Sequence, residues 1–120
     1  MMTLKDYLNP PTATMLSYDM DTTDDPNINA FIKNELKAKG WHDWIIKTEN
    51  QSYATKQQTS VRNLPMPEST LWKVGVTPAV AIRDFKQSLR EYNTKHPGIL
   101  ACGAVYASNG THYSAFRQEK

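Results

Sequence analysis

Thr14-Met15-Leu16-Ser17-Tyr18-Asp19-Met20, followed by Asp24-Asp25-Pro26 and then by Ile28, Phe31, Ile32 and Leu36, decides the fold. In the first stretch Leu16, Tyr18 and Met20 alternate with Met15, Ser17 and Asp19. That period of two turns one face of a strand toward a core. Asp24 or Asp25 suits the cap of a helix, and Pro26 suits its first position. The apolar residues after it recur at i, i+3, i+4 and i+8, the stripe of an amphipathic helix. Lys37 and Lys39 suit the negative end of that helix, and Gly40 suits a left-handed stop. A strand over 14–20 and a helix ending at Gly40 are therefore expected.

Outward from this unit, residues 41–48 are aromatic and β-branched and predict a second strand that extends toward Tyr53. Residues 49–69 are polar, with Pro65 and Pro67, and predict a long connection. Residues 70–76 predict a third strand. Thr77-Pro78 opens a second helix, with Ala81, Ile82, Phe85, Leu89 and Tyr92 at helical spacing and Arg83, Lys86 and Arg90 on the opposite face. His96-Pro97-Gly98 closes it. Residues 99–107 and 111–117 predict two strands joined at Asn109-Gly110, a strong hairpin signal. Asn9-Pro10-Pro11-Thr12 marks residues 1–13 as an extension before a single domain over 14–120. The order β-α-β-β-α-β with an additional C-terminal strand predicts an α+β, ferredoxin-like sandwich. Its uncovered face is the expected dimer surface. Tyr18, Trp41, Trp44, Trp72 and Tyr106 give the strands more aromatic area than two helices cover.

Composition narrows the class. The 120 residues suit one domain. With 39% hydrophobic and 22% charged residues, a collagen, a coiled coil and a wholly disordered chain are excluded. No stretch approaches the roughly 18 apolar residues of a membrane-spanning helix. Cys102 is the single cysteine, so an internal disulfide and a Cys₄ or Cys₂His₂ zinc site are excluded. A reducing, cytoplasmic setting is expected. Residues 1–30 carry one basic and five acidic groups, a net −4, and residues 31–120 carry thirteen basic and seven acidic groups, a net +6. An acidic knot on a basic body suits a metal site beside a phosphate-binding surface, or ordinary capping and solubility charges.

The motif Leu16-Ser17-Tyr18-Asp19, the step Lys39-Gly40-Trp41-His42 and the opening Glu68-Ser69-Thr70-Leu71-Trp72 together resemble one group of small proteins. These are the CRISPR spacer-acquisition endoribonuclease-like proteins, with virulence-associated protein D and the SinR-like stand-alone proteins. The resemblance implies a ferredoxin-like homodimer. It implies that the aspartate ending the first strand, here Asp19, holds a divalent metal near the dimer axis and acts in nucleic-acid cleavage. Two features depart from the family pattern: no basic residue directly follows Asp19–Asp21, and residues 49–69 exceed a typical hairpin loop.

Other residues carry chemistry by type and spacing. Asp19 and Asp21 stand two apart at a strand end, which places both carboxylates on one face if the strand continues. Hard oxygen ligands of this kind suit Mg²⁺ or Mn²⁺. Lys47, Lys56 and Arg62 flank the polar connection with Tyr53 among them, a pattern that grips phosphates and stacks a base. His42 beside Asp43 suits acid–base work. Cys102 in an apolar strand reads as a buried thiol, and a pair with His112 would need both at one place on the hairpin. The expected function is a nucleic-acid-interacting homodimer with RNA or DNA as partner, a metal-dependent endonuclease with Asp19 catalytic. The alternative is a non-catalytic module that binds a protein partner, such as a toxin–antitoxin or phage-defence component. No membrane association is expected.

Overall fold

The computed structural model describes residues 12–51 and 58–120, with backbone pairing alone for 45–51 and 58–65. The elements are β1 (Ala13–Met20), α1 (Ile28–Ala38), β2 (Trp44–Gln51), β3 (Gln58–Pro65), β4 (Thr70–Val74), α2 (Pro78–Lys95), β5 (Gly103–Ser108) and β6 (Tyr113–Gln118). β4, β1, β5 and β6 form a four-stranded antiparallel sheet in that order, and β2 and β3 form a separate two-stranded ribbon. The class is thus α+β, with a four-stranded antiparallel sheet and two helices, compatible with a ferredoxin-like arrangement. Among the described residues, no helix is long and apolar enough to cross a membrane.

β1 sits at the centre because its alternation is strict. Thr14, Leu16, Tyr18 and Met20 are buried, and Ala13, Met15, Ser17 and Asp19 are exposed. The buried face meets Ile28, Ile32 and Leu36 of α1 and Ala81, Phe85, Leu89 and Tyr92 of α2 in one core. Burying each large apolar side chain there contributes about 1.5–3 kcal/mol. Both helices lie on this face, so the other face of the sheet has no layer over it among the described residues.

The helix signals hold in part. Thr77 caps α2 by accepting from Val80 N–H, with Pro78 behind it. Gly40 has the left-handed φ of 95° after α1, and the Nζ of Lys73 donates to the carbonyl of Lys39 at 2.6 Å. The expected cap at Asp24 or Asp25 does not form. Asn27 precedes the first helical residue and makes no side-chain cap bond. Asp25 instead accepts from Asn27 N–H at 2.8 Å and from the Tyr92 hydroxyl at 2.6 Å. A buried hydroxyl needs an acceptor, so Asp25 ties the turn leading into α1 to the core instead of capping the helix.

The polar connection over 49–69 is corrected too. It contains β3, paired along its whole length with β2 from Trp44↔Pro65 to Gln51↔Gln58. Just before β2, His42 forms an isolated antiparallel bridge with Trp72 of the main sheet. Met66 N–H donates to Asp43 there at 2.8 Å. The aromatic residues expected on the uncovered face divide. Tyr18 and Trp41 are buried in the core, whereas Tyr106 is 51% exposed. The 1–13 extension falls almost wholly outside the described residues.

Tyr18 and Tyr92 make alkaline pH informative. Burial pushes Tyr18 up to about 12; burial and the neighbouring Asp25 carboxylate push Tyr92 up to about 12. A raised pKa means that the folded state holds its proton more tightly than the unfolded state. The associated stability is complete below pH 10 and is lost as pH rises from 10 to about 12. The urea midpoint should therefore fall across that window. Tyr92→Phe should remove one late-rising step from the tyrosinate absorbance titration. Asp25 acts at the other end: the Tyr92 hydroxyl and the Asn27 N–H hold it below the usual carboxylate range. Its contribution is present above that range and is lost as pH falls through the depressed value.

Candidate functional site

β1, β5 and β6 run side by side at the end of the sheet where β1 leads into α1. Asp19 is opposite Ala104 of β5, and Ala104 is opposite Arg117 of β6. On the uncovered face this sets a carboxylate, a methyl group and a guanidinium in one row. Neighbouring strands are about 4.8 Å apart, so the charged residues flank a gap roughly 10 Å wide at the backbone. An open groove of about 480 Å³ lies here. Asp19, Asp21, Glu119, Arg117 and Lys120 supply its charge, and Gly103 and Ala104 also line it.

β1 ends at Met20, so Asp21 does not continue the strand as expected. Its N–H still donates to Cys102 at 2.8 Å, while its carboxylate turns onto Thr23. That carboxylate accepts from the Thr23 N–H at 2.9 Å and from the Thr23 hydroxyl at 2.6 Å. These two donors hold Asp21 below the ordinary carboxylate range. Arg117 is 2.9 Å from Glu119. Lys120 is 3.0 Å from Asp24, which raises its pKa.

The donor set suits a small hard cation in a limited way. Mg²⁺ is commonly held by one or two carboxylates and keeps several waters. Asp19 and the Asp21 oxygen not engaged by Thr23 fit that requirement. No group of three or more His, Cys, Asp or Glu side chains able to hold a metal occurs among the described residues.

The remaining expected site residues lie elsewhere. Lys47 and Arg62 are cross-strand partners on the ribbon, which brings them together at one register position. Lys56 lies outside the described residues, as does Tyr53. His42 packs between Trp44 and Trp72, with ring centroids at 5.1 and 4.6 Å. The carboxylate of Asp43 pairs instead with Lys37 at 3.2 Å and Lys33 at 3.6 Å. Cys102 precedes β5 and His112 follows it, so the strand's length separates them; Cys102 is buried and lies 3.5 Å from the Leu100 carbonyl.

Sequence reading missed Arg117 and Lys120. The signal for Arg117 was present: it shares a face with Tyr113 and Ala115 by period two, and the hairpin folds that face beside Asp19. No protein-family model, curated protein or solved structure matches this chain, so its functional reading rests on the groove and the sheet face beside it.

Proposed function

We propose that the chain is a ferredoxin-like protein that binds nucleic acid through its phosphate backbone at the Asp19 groove, with a divalent cation as co-ligand. The fold assignment draws on the crossovers. β4 and β5 are both antiparallel to β1, lie on either side of it and are joined by α2. The segment entering β2 would add a strand outside β4, since His42, two residues before β2, bridges to Trp72 of β4. The observation that carries the functional reading is the row Asp19–Ala104–Arg117.

A phosphodiester is an anion that often arrives with Mg²⁺. Arg117 offers a fork of donors for phosphate oxygens. Asp19 and Asp21 would hold the cation, which when bound supplies Lewis-acid polarisation of a phosphate oxygen. Thr23 fixes the Asp21 carboxylate and keeps it ionised. Lys47 and Arg62, register partners on the ribbon, would add basic contacts to the backbone of a longer strand. A role in cleavage, with Asp19 catalytic as in the group the sequence resembles, belongs to the same proposal, as does a cytoplasmic setting.

The test is binding and cleavage of single- and double-stranded RNA and DNA with Mg²⁺, Mn²⁺ or EDTA. Arg117→Gln should weaken binding and reduce the slope of log K against log salt by about one. Asp19→Asn should remove the response to Mg²⁺. Absence of binding at low salt would refute the reading.

A non-catalytic protein-binding module has an observation of its own. Met15, Val74, Tyr106 and Tyr113 are exposed on the uncovered face or at its border. A second copy closing on that face would give the homodimer the resemblance implies, and sedimentation velocity would detect it.

A further inference from the structure

We infer that the uncovered sheet face is a base-stacking platform for single-stranded nucleic acid, with Tyr106 and Tyr113 as its stacking rings. This rests on the nucleic-acid reading above and names the form of nucleic acid the face takes.

The rings come first. Tyr106 on β5 and Tyr113 on β6 are 51% and 72% exposed. Their centroids are 5.9 Å apart and their planes differ by 22°. Ser108↔Tyr113 and Tyr106↔Ala115 are register pairs, so the two rings are diagonal neighbours on one face. The sheet fixes where each side chain starts and the rings already stack on each other, which leaves a planar face for a further partner.

The surroundings suit a base. An open depression of about 470 Å³ lies between Met15 and Tyr106, with Ser17, Ser108 and Asn109 along it. Its apolar walls accept the flat face of a base. Its hydroxyls and amide offer donors and acceptors to a base edge. Arg117 is in line with Tyr113 on β6, and the Asp19–Ala104–Arg117 row lies two residues along the strands from the Ser17–Tyr106–Ala115 row. That is about 7 Å to the Tyr106 row and about 13 Å to Tyr113, so one strand of a few nucleotides stacked on the rings would reach the groove with a phosphate. Aromatic side chains on a sheet face that stack unpaired bases are a general mode of single-strand recognition. A duplex hides its base faces and gains nothing from such a platform.

A second copy fits the face less well. The centre of a protein–protein interface is depleted in charged residues. Here the face carries Asp19, and beside it on β1 the Ser17 hydroxyl bonds to that of Thr70 on the edge strand at 3.1 Å; Asp and Ser are both residue types that such interfaces disfavour.

Fluorescence anisotropy decides the matter. The probes are a labelled mixed-sequence strand of roughly 12 nucleotides, a length typical of single-strand binding sites, an abasic strand of equal length and charge, and a duplex. At low salt the intact strand should bind about ten-fold more tightly than the abasic strand or the duplex. Tyr106→Leu and Tyr113→Leu should each weaken the intact strand about ten-fold and leave the abasic strand nearly unchanged. Circular dichroism would confirm that both variants fold. Equal binding of intact and abasic strands, with Arg117→Gln still weakening both, would overturn the platform and leave the phosphate reading standing. No binding of any probe would overturn both. A dimer in sedimentation velocity that Tyr113→Leu dissociates would overturn the platform by giving the face to a second copy.

Discussion

Trp41→Ala should destabilise the fold by about 3–5 kcal/mol, the range for emptying a large aromatic site in a core. Natural domains have only about 5–15 kcal/mol in all, so the variant would be near the limit of folding. Trp41 is 2% exposed and is among the largest fully enclosed side chains. It follows the left-handed Gly40, and its N–H closes α1 by donating to the Leu36 carbonyl at 3.1 Å. Its indole N–H donates to Asp84 at 3.0 Å, and Asp84 is itself buried on α2. Removing the indole therefore opens a void and takes a donor from a buried carboxylate. Trp41→Phe separates the two effects: it keeps most of the apolar volume and loses the donor, and should cost about 1–3 kcal/mol. Urea denaturation followed by circular dichroism measures both. A loss below about 1 kcal/mol for Trp41→Ala would show that the ring does not link α1 to α2 as described.

What the chain reveals before folding follows from which forces act locally. β1 was legible because a strand at the centre of a half-covered sheet must alternate, and residues 14–20 do. Gly40 and Thr77-Pro78 were legible because backbone geometry alone requires them. Asp25 misled because its partner, Tyr92, is 67 residues away. β3 was hidden in a polar run: Gln58-Thr59-Ser60-Val61-Arg62-Asn63-Leu64-Pro65 lacks the clean apolar alternation of β1, and its strand character comes from pairing with β2. Asp19 and Asp21 were legible as hard ligands at a strand end, but Arg117 depended on a hairpin register. A two-residue turn at Asn109-Gly110 would have set Arg117 opposite Cys102. Instead the turn spans four residues, because the Asn109 side chain accepts from the N–H groups of Thr111 and His112. That moves the register by two residues. The face is kept, and Arg117 comes opposite Ala104 in the row that contains Asp19.

Gly103 ties the stability of the sheet to the groove, and its replacement should disturb both. Gly103 is opposite Met20 at the start of β5. A Cβ there would lie 2.5 Å from the Met20 sulfur, 2.6 Å from the Asp19 carbonyl oxygen and 3.0 Å from the Met20 Cα. The sulfur ends a flexible side chain and can move; the two backbone atoms belong to β1 and cannot move alone. Gly103→Ala should thus destabilise the protein by about 1–3 kcal/mol through forced separation of β1 and β5, and Gly103→Val by more. The displaced backbone carries Asp19 and leads into Asp21, whose N–H bonds to Cys102 beside the substitution. On the proposed reading of the groove, nucleic-acid affinity should accordingly fall in Gly103→Ala even though no charge has been removed. Arg117→Gln provides the contrast. Its side chain is 72% exposed, so binding should weaken while the urea midpoint stays put. If Gly103→Ala kept the stability of the parent and bound nucleic acid equally well, the close approach of β1 to β5 would not be what shapes the groove.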